Sequence, residues 1–172
     1  MAKKTEKKPV KRNSRKAVQS SPGDRLASES QLIHLRLTEA HAQQADLPEG
    51  GPLPTNLRAN ARIVTSANEA RNRYRVEVVF ELLMSFDAAP KNAAIVIGAK
   101  FQLTLACEDA KLVTDNAIAE FGQNGAMFIL WPYWRQHVNA TLASMGLPSY
   151  TLPLYKSGFF AQMEELPVEQ EA

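Results

Sequence analysis

Four stretches between Ile33 and Leu105 carry apolar residues at every second position, the spacing of strands with one dry and one wet face. Ile33, Leu35 and Leu37 alternate with His34, Arg36 and Thr38. After the Pro48-Glu49-Gly50-Gly51-Pro52 break, Leu57, Ala59, Ala61 and Ile63 alternate with Arg58, Asn60 and Arg62. Asn68 to Asn72 turn the chain, and Tyr74, Val76, Val78, Phe80, Leu82, Met84 and Phe86 form the longest run, with Arg73, Arg75, Glu77 and Glu81 opposite. A turn from Asp87 to Asn92 leads to the fourth strand, whose dry face is Ile97, Ala99, Phe101, Leu103 and Leu105. Beyond it the period changes. Trp131, Trp134, Val138, Leu142 and Met145 recur at the spacing of one helical face, with Arg135, Gln136, Asn139 and Ser144 elsewhere on the circumference. Pro132 suits a first helical turn, and Gly146 followed by Pro148 is a stop signal, so the expected helix runs from about Pro132 to Met145.

Short connections predict antiparallel neighbours. A sheet with one apolar face needs a covering layer, and the candidates are the helical stretches at Thr114 to Phe121 and Pro132 to Met145. The expectation is an α+β domain: a four-stranded antiparallel sheet followed by helices packed on one face. On the opposite face Val79, Leu83 and Val96 interrupt a polar set, which fits either scattered exposed apolar residues or a subunit contact.

Charge divides the chain further. Residues 1–25 hold nine Lys and Arg against Glu6 and Asp24, a net of +7; the rest holds eleven basic and sixteen acidic residues, a net of −5. The leader's sizeable apolar side chains are Val10 and Val18, too few to offset an ordering cost of about 1 kcal/mol per residue, so a disordered basic tail is expected there. Residues 26–163 make one folded domain and 164–172, with Glu164, Glu165, Glu169 and Glu171, an acidic C-terminal tail. At 172 residues and 45% hydrophobic content the chain suffices for one domain with a substantial core. Apolar runs such as Val76 to Phe86 are interrupted by Glu77 and Glu81, so no membrane insertion is expected. The charged start lacks the apolar core of a secretory signal, and with a single Cys107 a cytoplasmic location is the expectation.

Little points to catalysis. The three histidines, His34, His41 and His137, share no ligand spacing with Cys107, and no phosphate loop, nucleophile elbow or metalloprotease motif occurs. The reading is a non-enzyme with no metal and no cofactor. The densest feature is the aromatic and proline-rich stretch from Phe128 to Leu154, with two tryptophans and two tyrosines. Trp134, Val138 and Leu142 suit core packing, whereas Trp131, Tyr133, Leu147 and Tyr150 flank bends set by Pro132, Gly146 and Pro148 and are expected to line a groove. Aromatic walls with few charges suit extended apolar peptides, because hydrophobic attraction is nondirectional.

The run Leu130-Trp131-Pro132-Tyr133-Trp134-Arg135, followed by a helix, Gly146-Leu147-Pro148 and Leu152-Pro153-Leu154, resembles the hallmark of the SecB-like export chaperones. That family shows Leu-Phe-Pro-Tyr-Ala-Arg-Glu, a helix, Gly-x-Phe-Pro and a Leu-x-Pro run. The Pro-Tyr-x-Arg core is kept, Trp131, Trp134 and Gln136 replace Phe, Ala and Glu, and the spacing after the helix is shorter. The resemblance implies a homotetramer, a dimer of dimers, that holds unfolded or precursor polypeptides for protein export and hands them to the SecA motor. It places a client groove near Trp131, Tyr133, Leu147 and Tyr150, bordered by the Leu47 to Leu57 connection, including Leu53, and by strand four, including Phe101. The strand with an acidic motor contact in the family reads Ile95-Val96-Ile97-Gly98 here, without an acid. Two alternatives stand beside a general export holdase: a dedicated SecB-like chaperone for a single partner such as an antitoxin, and a nucleic-acid-associated protein whose basic leader contacts phosphates.

Overall fold

The computed structural model describes residues 20–45, 47, 54–86 and 93–155. The proposed basic leader up to residue 19, the Pro48 to Pro52 break with Leu53, the Asp87 to Asn92 turn and the acidic tail lie outside them. Elements follow in the order α1 (Pro22–Glu29), β1 (Ser30–Gln44), β2 (Asn56–Ala67), β3 (Arg73–Ser85), β4 (Ile95–Cys107), α2 (Asp115–Phe121), a π turn (Gly122–Ala126) and α3 (Met127–Ser144). The four strands form one antiparallel sheet in the order β1-β4-β3-β2, with the helical region on one face.

In β3 and β4 the alternation read in the sequence is the alternation of burial; in β1 it is not, because Ile33 is bulged out of the register, so Leu32 and not Ile33 shares a face with Leu35 and Leu37, and none of the three is fully buried. Tyr74, Val76, Val78, Phe80, Leu82 and Met84 of β3 and Ile95, Ile97, Ala99, Phe101, Leu103 and Leu105 of β4 all turn into the core. Phe86, expected to continue β3, lies just beyond its end and is exposed. The core is aromatic at its centre. Phe80 stacks on Trp134 with centroids 5.3 Å apart and planes 11° apart, and meets Trp131 and Phe101 edge-on at 6.1 and 6.0 Å.

Two features depart from the sequence reading. First, β1 pairs with β4 and not with β2, so the connection from Gln44 to Asn56 carries the chain from one edge of the sheet to the other, about 14 Å at ordinary strand spacing. Leu47 packs against the core and Pro54 is buried along this crossing. Second, the helix begins earlier than Pro132. α2, the π turn and α3 run on without a break, which places Pro132 inside α3 and not at its first turn. Gly122 permits this path: a Cβ there would sit 3.0 Å from Ile63 Cγ2, so the π turn lies tight against β2.

α1 was not legible as a core periodicity, and it takes in residues 22–25 of the segment read as the basic leader. Its start is specified locally. The Ser21 hydroxyl accepts from the Asp24 N–H, the Asp24 carboxylate accepts from the Ser21 N–H, and Pro22 fills the first turn. Leu26 anchors the helix in the core. The Tyr74 hydroxyl donates to Ser30 Oγ at 2.9 Å, and Ser30 donates to the Leu26 carbonyl at 2.6 Å, tying α1 to the sheet. Opposite, the β2–β3 hairpin is closed by Asn68 Oδ1, which accepts from the N–H groups of Asn72 and Arg73. Arg71, with φ 48°, reaches out of this turn to donate to the Val113 carbonyl and the Asp115 carboxylate at the start of α2.

Candidate functional site

β1 is an edge strand that the helical layer leaves open. Of its 15 residues only Ser30 and Leu35 are even partly buried. Its register with β4 puts Leu32, Leu35, Leu37, Ala40 and Ala42 on the helix side, opposite Leu105, Leu103, Phe101, Ala99 and Ile97. Bulges at Ile33 and Thr38 maintain that face: each inserts one residue, and without them the alternation would carry Leu35 and Ala40 to the other side. At the second bulge the Thr38 hydroxyl donates to the Lys100 carbonyl at 3.1 Å, in the manner of a ladder bond. Leu32 is 44% and Leu37 48% exposed, an apolar strip on the side of the sheet that elsewhere is core.

The wall of this strip is one flank of α3. Gly122 packs against Val76, Trp134 stacks on Phe80, and His137 lies beside Gly98. Val76 is opposite Leu103, Phe80 opposite Ala99 and Glu81 opposite Gly98, so α3 descends β4 in the direction from Leu103 to Gly98. His137 is partly buried, and this desolvation holds its imidazole below the usual histidine range. The Gly98 carbonyl pulls the other way, and the nearby His41 of β1 adds a smaller depression. Gly98 belongs to β4, which lies between the edge strand β1 and β3, on whose Phe80 Trp134 stacks, so the His137 flank of α3 is the one toward β1. Tyr133, one helical turn earlier on that flank, is 47% exposed. Leu32, Leu35 and Leu37 thus form an open apolar strip along the helix side of β1, and Tyr133 is exposed on the flank of α3 that lies toward it.

The residues expected to line a groove have separate fates. Tyr133 is exposed on the β1 flank of α3. Trp131 is not a wall but part of the core, 2% exposed, its indole N–H donating to the Pro153 carbonyl at 2.8 Å. Phe101 is likewise buried beneath the helices, because it sits on the dry face of a central strand. Leu147 and Tyr150 are partly buried and pack against the core as the chain returns along α3. Leu53 lies outside the described residues. Residues that the sequence reading did not place at a site are Leu32, Leu35 and Leu37, since alternation marks a dry face without telling whether a helix covers it. Phe128, one helical turn before Trp131, and Leu154, next to Pro153, are both highly exposed apolar residues near the Trp131–Pro153 bond.

Among the described residues no three His, Cys, Asp or Glu side chains are grouped to hold a metal, and no helix is long and apolar enough to cross a membrane. Cys107 is buried. A cleft between α1 and the π turn, bordered by Ser21, Asp24 and Asn124, has a volume of about 30 Å³, far below the roughly 300 Å³ at which small-molecule sites begin.

Among solved structures the chain superposes on the Mycobacterium tuberculosis Rv1957 SecB-like chaperone, in complex with a ChAD peptide from the Rv1956 HigA1 antitoxin, with a TM-score of 0.68. The match covers 78% of this chain and 96% of that one. The fold is SecB-like. Sequence identity to the mycobacterial protein is 19%, so the likeness is one of architecture. A protein of unknown function from Streptococcus agalactiae matches over 73% of this chain and 98% of its own, at 14% identity and a TM-score of 0.38. No family model and no curated protein sequence matches. In this SecB-like fold the edge strand β1 and Tyr133 of α3 are exposed.

Proposed function

We propose that this chain is a non-catalytic holdase that captures extended, nonnative polypeptide segments in a trough between β1 and Tyr133. The observation that carries this reading is the uncovered apolar helix side of β1, with Leu32 and Leu37 half exposed where the rest of that sheet face is core. Its SecB-like fold supports the same role. Apolar contacts of this kind tolerate varied sequences, and each is weak, so several troughs acting on one unfolded chain supply the avidity. Assembly as a homotetramer and work on precursors in the cytoplasm belong to this reading. A client denatured in guanidinium and diluted into excess protein tests it: light scattering is suppressed and the client comigrates with the protein. Scattering that rises unchanged, with no comigrating client, sinks the proposal.

A narrower version has one specific support, since the mycobacterial chaperone of the same fold is bound to an antitoxin peptide. Here the trough serves one dedicated partner. The two versions separate by client range: a dedicated chaperone protects one crosslinked cellular partner and leaves unrelated denatured proteins to aggregate.

A further inference from the structure

The sheet face turned away from the helices has a composition of its own. Its residues lie in rows across the four strands. Arg58, Leu83, Val96 and Gln43 form one row, Asn60, Glu81, Gly98 and His41 the next, then Arg62, Val79, Lys100 and Glu39, then Val64, Glu77, Gln102 and Arg36, then Ser66, Arg75, Thr104 and His34. Arg73 and Ala106 follow. Six basic side chains therefore face three acidic ones, although the chain beyond the leader is net acidic.

The acids are engaged within the face. Lys100 bridges Glu39 at 3.1 Å and Glu77 at 3.5 Å. Glu77 also accepts from Gln102 at 2.8 Å, and this bond, with Lys100 and Arg75 adding to it, holds its carboxyl below the usual range and ionised. Glu81 accepts from Asn60. Arg36, Arg58, Arg62 and Arg73 are exposed and make no ion pair among the described residues, while Arg75 acts only through its field at Glu77. Between the arginines of β2 and the far strands run Val79 and the directly paired Leu83 and Val96, half buried, with Val64 nearby and 48% exposed.

We propose that this face docks an acidic polypeptide segment carrying apolar side chains between its carboxylates. Guanidinium groups match carboxylates in paired hydrogen bonds, and Arg58 and Arg62 stand about 13 Å apart along one strand, four residues of an extended partner. The Leu83–Val96 row selects polypeptide over nucleic acid: phosphates leave it uncovered, and among the described residues of this face there is no Phe, Tyr or Trp ring for a base to stack on. The site lies on the opposite side of the sheet from the trough, so its occupation does not compete with client capture.

The test is fluorescence anisotropy with a labelled synthetic peptide of Glu-Leu-Glu-Ser repeats and the full chain at low salt. The peptide binds, added salt weakens it, and Arg58→Glu with Arg62→Glu lowers affinity at least about tenfold, equivalent to about 1.4 kcal/mol. Arg58→Gln with Arg62→Gln, milder for folding, gives a smaller loss in the same direction, and thermal melts verify both variants. Tyr133→Ser leaves this binding unchanged, and the arginine variants leave client protection unchanged, so failure of either reading is seen separately. Absence of peptide binding, equal binding by the arginine variants, or equally tight binding of a Glu-Ser peptide or a DNA duplex overturns the proposal.

Discussion

Trp131 and Pro153 are joined by a hydrogen bond of 2.8 Å from the indole N–H to the main-chain carbonyl, and this bond fastens the returning C-terminal segment to α3. The Tyr155 ring packs 5.8 Å from Trp131, and its hydroxyl donates to the Gln123 carbonyl at 3.2 Å, a second fastening of the same segment. Trp131 is therefore structural in the protomer. Trp131→Ala lowers stability in urea unfolding by about 3–5 kcal/mol, whereas Trp131→Phe, which retains a ring but loses the donor, costs nearer 1–3 kcal/mol. An alanine variant as stable as the parent would remove the residue from the core.

Exposed members of the trough behave oppositely. Tyr133→Ser and Leu37→Ser change stability by less than about 0.5 kcal/mol each, because neither side chain is packed on all sides. Client protection falls in both, and further in the double variant. Aggregation curves unchanged in the double variant would relocate client capture to the exposed Phe128 and Leu154.

Tyr74 makes the fold sensitive to alkali. Burial of its ring pushes the phenol up to about 12; the bond to Ser30 opposes this, and Cys107 adds to it. The fold favours the neutral form. The contribution of this group is intact below pH 10, the value of the free phenol, and is lost as pH rises from there toward about 12. Urea midpoints therefore fall more steeply above pH 10 in the parent than in Tyr74→Phe. At neutral pH that variant is less stable by about 1 kcal/mol, through the lost bond to Ser30. Identical slopes above pH 10 would show that Tyr74 does not set the alkaline limb.

Pro132 sits in the interior of α3, where it supplies no N–H to the carbonyl four residues earlier, that of Phe128. Its ring is exposed, so little packing is lost on replacement. Pro132→Ala raises stability by about 1–3 kcal/mol, read as a higher melting temperature. A lower melting temperature would mean that the break in the hydrogen-bond ladder is itself required by the packing of α3.

β3 and β4 were the most legible strands because each buries one face completely: a slip of one residue would send Phe80, Leu82 and Met84 into water, so the sequence must alternate strictly. Strand order was not legible. Nothing local in β1 states that its partner is β4, 50 or more residues away, and with that order hidden the open edge was hidden too. Trp131 was misplaced for a related reason. Pro132 was read as the start of a helix, where a neighbouring ring turns outward; the π turn at Gly122 to Ala126 extends the helix upstream and rotates Trp131 into the core. The capping pair of Ser21 and Asp24 with Pro22 was available as a local signal for α1 and needed only to be read within the charged leader.

The two inserted residues of β1, Ile33 and Thr38, have a consequence for the outer margin of the sheet. An incoming strand meets three short straight runs, 30–32, 34–37 and 39–44, and not one uninterrupted rail. A long regular strand loses its bonding phase at each irregularity, so zippering along the whole margin is frustrated and a partner there must be brief or carry matching kinks of its own.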